Sequence, residues 1–76
     1  MSKLPILNFK ILHSLLLRWG FTVARQKGSH VYYVHLRWQG TCVPDHRTKD
    51  LPRKLLRTIL REIKVGVDEF NEELQK

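Results

Sequence analysis

Seventy-six residues, 42% of them hydrophobic, are enough for one small domain and too apolar for a disordered chain. The single cysteine, Cys42, excludes an intramolecular disulfide. No apolar run approaches the ~20 residues of a bilayer span, and Met1-Ser2-Lys3-Leu4-Pro5 has no signal-peptide pattern, so the expectation is a cytoplasmic protein. The formal net charge is +7, but residues 1–64 hold 13 of the 14 Lys and Arg with 3 of the 7 Asp and Glu, leaving an acidic tail. A basic body of this kind points to a polyanionic partner, nucleic acid first and an acidic protein second.

Along the chain, Asn8 is placed to cap a helix that starts at Phe9. Phe9, Leu12, Leu16 and Trp19, widened by Leu15, form one apolar face; Lys10, Ser14 and Arg18 lie opposite, and Gly20 is the expected C-cap. Phe21-Thr22-Val23-Ala24-Arg25 alternates and predicts a first strand. Lys27-Gly28-Ser29 predicts a tight turn, in which Gly28 can take a positive φ and Ser29 can bond its own backbone. A second strand is expected from His30 to about Trp38, then a Gln39-Gly40 turn, and a short third strand Thr41-Cys42-Val43 stopped by Pro44. Residues 45–51 read as a polar loop.

A second helix is expected from about Pro52 to Ile63. Leu55, Leu56, Ile59, Leu60 and Ile63 make its apolar stripe, and Arg53, Lys54, Arg57, Arg61 and Lys64 its remaining surface. Gly66 is the expected break, and Asp68-Glu69-Phe70 opens a short acidic helix. The order α-β-β-β-α with a short extra C-terminal helix is an α+β architecture, the element order of a double-stranded-RNA-binding domain, in one domain over residues 1–76.

The candidate chemistry centres on Arg25-Gln26-Lys27-Gly28-Ser29-His30. A stiff turn would hold His30 at the first position of the second strand, beside two cations that can meet a phosphate. Acid–base catalysis needs such a repeatable geometry, and histidine is the side chain whose ordinary titration lies nearest neutral pH. Tyr32, Val34 and Leu36 are the most apolar set of that strand; if their face is the buried one, His30 sits at its rim. His13 reads as a structural or exposed helix residue. Cys42 reads as a small buried apolar residue. His35 is an odd number of positions from His30, so the two point to opposite faces. With no cysteine or carboxylate spaced to complete a set, no metal site and no cofactor are expected. His46, in Pro44-Asp45-His46, could approach the start of the second strand through the meander and supply a second acid or base.

Taken together, these pieces resemble the HicA-type mRNA interferases, toxins of bacterial and archaeal toxin–antitoxin pairs. The resemblance runs through Leu4-Pro5, Gly20-Phe21, Arg25-Gln26-Lys27-Gly28-Ser29-His30, Val43-Pro44-Asp45-His46, Leu56-Arg57-Thr58-Ile59-Leu60 and Glu69-Phe70. Lys54-Leu55 departs from the Gly-Thr often found before the second-helix motif. The resemblance implies a double-stranded-RNA-binding-like fold, cleavage of mRNA without a required metal, a catalytic histidine at His30, and inhibition by a cognate HicB-type antitoxin. Phosphate or RNA contacts are expected from Arg25, Lys27, Gly28 and Ser29. Two other functions fit the same charge and element order: a non-catalytic RNA-binding module, and a protein-interaction domain that meets an acidic partner.

Overall fold

A computed structural model of the protein describes residues 4–45 and 49–76. The elements run α1 (Phe9–Arg18), β1 (Thr22–Lys27), β2 (His30–Val34), β3 (Thr41–Pro44), α2 (Arg53–Glu62) and α3 (Val67–Leu74). The three strands form one antiparallel sheet in the order β1-β2-β3. The α+β element order expected from the sequence is the one observed.

Each helix forms for reasons visible in its sequence, although the residue that breaks the second is not the expected one. Asn8 caps α1 by accepting from the Ile11 amide at 3.1 Å, and Leu12, Leu15 and Leu16 are its buried stripe. The helix closes in a paired-bond cap: the Phe21 amide reaches back to the Leu16 carbonyl at 3.0 Å and the Gly20 amide to Leu17 at 3.1 Å, with Gly20 at φ +95°. The second helix ends in the same motif, with Val65 bonded to Leu60 and Lys64 to Arg61. Its left-handed position is occupied by Lys64 at φ +60°, so the helix stops at Glu62, within a residue of the expected end at Ile63, with Lys64 rather than Gly66 making the break. Gly66 instead precedes α3, whose first turn carries Asp68 and Glu69 as expected.

Helices cover one face of the sheet. Val31, Tyr33 and Val43 point into a core made with Leu12, Leu15, Leu16, Leu56, Ile59, Leu60 and Phe70. On β2, therefore, the odd-numbered residues are buried, and the reading in which the face of Tyr32, Val34 and Leu36 is the covered one is overturned: Val34 is exposed, Tyr32 is half-buried and Leu36 is fully exposed. The reason lies in Tyr33, the largest side chain on the strand's inner face. It can be buried because its hydroxyl meets His13 Nδ1 at 2.7 Å, giving the polar end of the ring a partner inside the core. His13, stacked on Phe9 at a centroid distance of 5.3 Å, is thus a structural histidine. Burial holds the Tyr33 hydroxyl above the ordinary tyrosine range, and the charges of Asp45 and Cys42 add to the effect.

The second strand also ends earlier than expected, at Val34 rather than near Trp38. His35 turns inward. Its Nε2–H donates to the Trp19 carbonyl at 3.0 Å while its Nδ1 accepts from the Arg37 amide at 3.0 Å. These bonds fix the Nε2–H tautomer. The ring also stacks on Trp38 at 4.6 Å and meets the edge of Phe21 at 4.8 Å. The chain folds around the histidine, so residues 35–40 become a connection instead of more strand. The segment read as a polar loop likewise contributes to the core: Leu51 is buried, its amide donates to the Leu7 carbonyl at 2.8 Å, and Asn8 bridges Asp50. Arg53 Nε donates to the Leu4 carbonyl at 3.0 Å, which ties the N-terminal segment to the start of α2.

Candidate active site on the open sheet face

The two-residue turn Gly28-Ser29 joins β1 to β2 with Lys27 directly opposite His30. Gly28 sits at φ +60° and Ser29 is not in the left-handed region, the combination of a type II′ hairpin turn. A Cβ on Gly28 would meet no neighbouring atom, so only the backbone conformation calls for glycine there. The side chain that braces the turn is Gln26, whose Nε2 donates to the Gly28 carbonyl at 3.2 Å. Ser29 contributes through its backbone, where its carbonyl accepts from the Asp45 amide.

Residues paired across an antiparallel ladder project to the same face. Lys27, His30 and Pro44 therefore share one row, and Arg25, Tyr32 and Cys42 share the next. Both rows lie on the face away from the helices. The regular register running back from the turn sets this, with Gln26 opposite Val31 between the two rows; a bulge between Val23 and Arg25 follows. Strict alternation would have put Val23 on the open face with Arg25; the extra residue, Ala24, lets Val23 pair with Tyr33 instead. The Arg25 guanidinium lies 4.7 Å from the centroid of the Tyr32 ring, a cation–π contact.

His30 is exposed on this face rather than partly covered at a rim. Cys42 is half-buried, not buried, because its partner Tyr32 places it on the uncovered side. Arg25, Lys27, Gly28 and Ser29 are all exposed around His30. The expected proximity of the β3 end to the start of β2 is present, since Pro44 is the cross-strand partner of His30. His46 itself lies outside the described residues. His30 and His35 fall on opposite sides of the strand as the sequence implied, and among the described residues no three of His, Cys, Asp and Glu are grouped as metal ligands would be.

The sequence put Tyr32 on the face of His30 but did not single it out as a site residue. The even spacing from His30 was the signal, but it was read as belonging to a buried apolar set. The basic residues of α2 form a separate surface: Arg53, Lys54, Arg57 and Arg61 are exposed on the helical layer, on the other side of the molecule. Among the described residues, the two ion pairs both use Glu73, with Arg18 at 3.5 Å and with Lys76 at 3.7 Å, so neither the hairpin cations nor those of α2 take part in one. No helix among the described residues is long and apolar enough to cross a membrane.

A comparison with curated proteins finds no match. A sequence model of a family described as the HicA toxin of bacterial toxin–antitoxin systems matches residues 9–65. That stretch contains α1, the whole sheet with the His30 hairpin, and α2. With well over half of its length matched, the chain belongs to the HicA toxin family, whose members are toxins of toxin–antitoxin systems and generally ribonucleases.

Proposed function

We propose that this toxin is a metal-independent endoribonuclease acting on mRNA in the cytoplasm, as one domain over residues 1–76, with His30 as its general base. The observation that carries the reading is the hairpin register, in which an exposed histidine stands directly opposite Lys27 with Arg25 one row away. His30 takes the proton of a ribose 2′-hydroxyl. The oxygen attacks the adjacent phosphorus, the bond to the 5′-oxygen of the next nucleotide breaks, and the products are a 2′,3′-cyclic phosphate and a 5′-hydroxyl. Lys27 and Arg25 oppose the negative charge that grows on the phosphoryl oxygens, and the Gly28-Ser29 backbone gives the phosphate close approach. The departing oxygen needs a proton, for which His46 is the candidate donor.

General acid–base catalysis supplies on the order of 10²–10⁴-fold, so positioning and electrostatics on this face account for the remaining acceleration. Control comes from a cognate HicB-type antitoxin that covers His30 and presents carboxylates to the hairpin cations, blocking the chemistry and neutralising the charge together.

The reading is tested by incubating the purified protein with RNA and with an all-deoxy copy of the same sequence, each with EDTA. RNA should be cut into fragments ending in a cyclic phosphate and the DNA left intact. Cutting of the all-deoxy strand, or loss of RNA cleavage with the chelator, overturns the mechanism. A protein that binds RNA and cuts neither substrate would be the non-catalytic module of the same fold.

A further inference from the structure

One aromatic ring stands in the row next to His30. Tyr32 is the following residue of β2 on the open face, about 7 Å along the strand at the usual rise per residue. Its ring is half-buried against the sheet, with Cys42 opposite on β3 and the Arg25 guanidinium above it at 4.7 Å. Arg25 is exposed and is absent from both ion pairs among the described residues. The result is a flat cationic and aromatic surface beside the proposed base, where a side chain engaged only with phosphate would have no use for the ring.

Attack by a 2′-hydroxyl on its own phosphate requires the oxygen to swing into line with the departing oxygen. A nucleotide in a regular A-form duplex cannot do so without leaving its stack. A base that has lost its neighbours regains stacking energy on aromatic rings and on guanidinium planes, and bases inside a duplex are out of reach of such a platform. Lysine could replace arginine as a charge but not as a plane.

We propose that Arg25 and Tyr32 form a nucleobase-stacking subsite that holds one unpaired base of single-stranded RNA beside the phosphate cleaved at His30. The subsite rests on the reading of His30 as the base, and it adds the strandedness of the substrate and a stacking role for Arg25.

The experiment measures binding of a short unstructured oligoribonucleotide, and of the same ribose-phosphate chain without bases, to the non-cleaving His30→Ala protein. In that background Tyr32→Leu should weaken binding of the base-bearing strand at least about fivefold, from the usual worth of one stacked base, and leave the abasic strand unaffected. Tyr32→Phe should keep the affinity, and Arg25→Lys should lose part of it for the base-bearing strand alone. Equal losses for both strands, or no loss for either, overturn the subsite; the first would return both residues to charge and structure. If Tyr32→Leu does not fold, the exposed Arg25→Lys variant decides by the same comparison. Cleavage by the unaltered protein is read separately, so a chain that stacks bases on Tyr32 without cutting RNA would support the subsite and overturn the catalytic reading.

Discussion

The amide of Asp45 donates to the carbonyl of Ser29, so the chain leaves β3 held against the turn that presents His30. Pro44, the cross-strand partner of His30, lies one residue earlier. Residue 46 follows immediately after this tie, which makes the pair of histidines 30 and 46 the natural target of mutation.

His30→Ala should abolish RNA cleavage and growth inhibition while leaving the thermal midpoint nearly unchanged, because an exposed side chain buries little on folding. RNA affinity should largely persist. Full cleavage by the purified variant would contradict the role of His30. His46→Ala is the companion: a loss of rate comparable to that of His30→Ala identifies the proton donor, and near-normal cleavage assigns that step to another group.

Binding of single-stranded RNA should fall steeply with salt, with a slope near −0.7 per phosphate contacted. Replacing Arg25 and Lys27 together should flatten the slope. Replacing Arg57 and Arg61, exposed on the opposite layer, should leave it unchanged for a short strand that reaches only the sheet face. The reverse pattern in the two slopes would move the phosphate contacts to α2.

Tyr33→Phe removes the hydroxyl that meets His13 and should cost about 1 kcal/mol near neutral pH, the usual worth of one hydrogen bond. The cost should depend on pH. Because Tyr33 holds its proton more tightly in the folded chain than at its ordinary value of 10.0, the unfolded chain loses that proton first, and this contribution to stability declines as pH rises above that value. Urea midpoints of the two proteins should therefore converge on the alkaline side. A gap that does not change through this range would show that the Tyr33 proton is not coupled to folding.

The two helix stops should respond in opposite directions. Lys64→Gly relieves a non-glycine residue at φ +60° and should raise stability by roughly 0.5–1 kcal/mol. Gly20→Ala introduces the same strain at φ +95° and brings a methyl to 3.1 Å from His35 Nε2, so it should lower stability by about 1–2 kcal/mol. Chemical denaturation of both variants checks the signs.

Local chemistry alone determined much of this protein. The Asn8 cap, the apolar stripes of α1 and α2, the left-handed Gly28 and the hairpin before His30 are all short-range features, and each was legible because its cause lies within a few residues. The motif order that marks the family was legible for the same reason. Which face of the sheet is covered was not. Both faces of β2 carry apolar residues, and the choice fell to Tyr33 because a helix brought His13 to its hydroxyl from twenty positions away. The bulge at Ala24 was equally hidden, since a register shift depends on what the neighbouring strand offers and not on its own alternation. The two-residue turn by itself sets His30, Lys27, Arg25 and Tyr32 on one face of the hairpin; that this face is the open one followed from the burial of Val31, Tyr33 and Val43 on the other, a choice that packing energy decides and that no local pattern encodes.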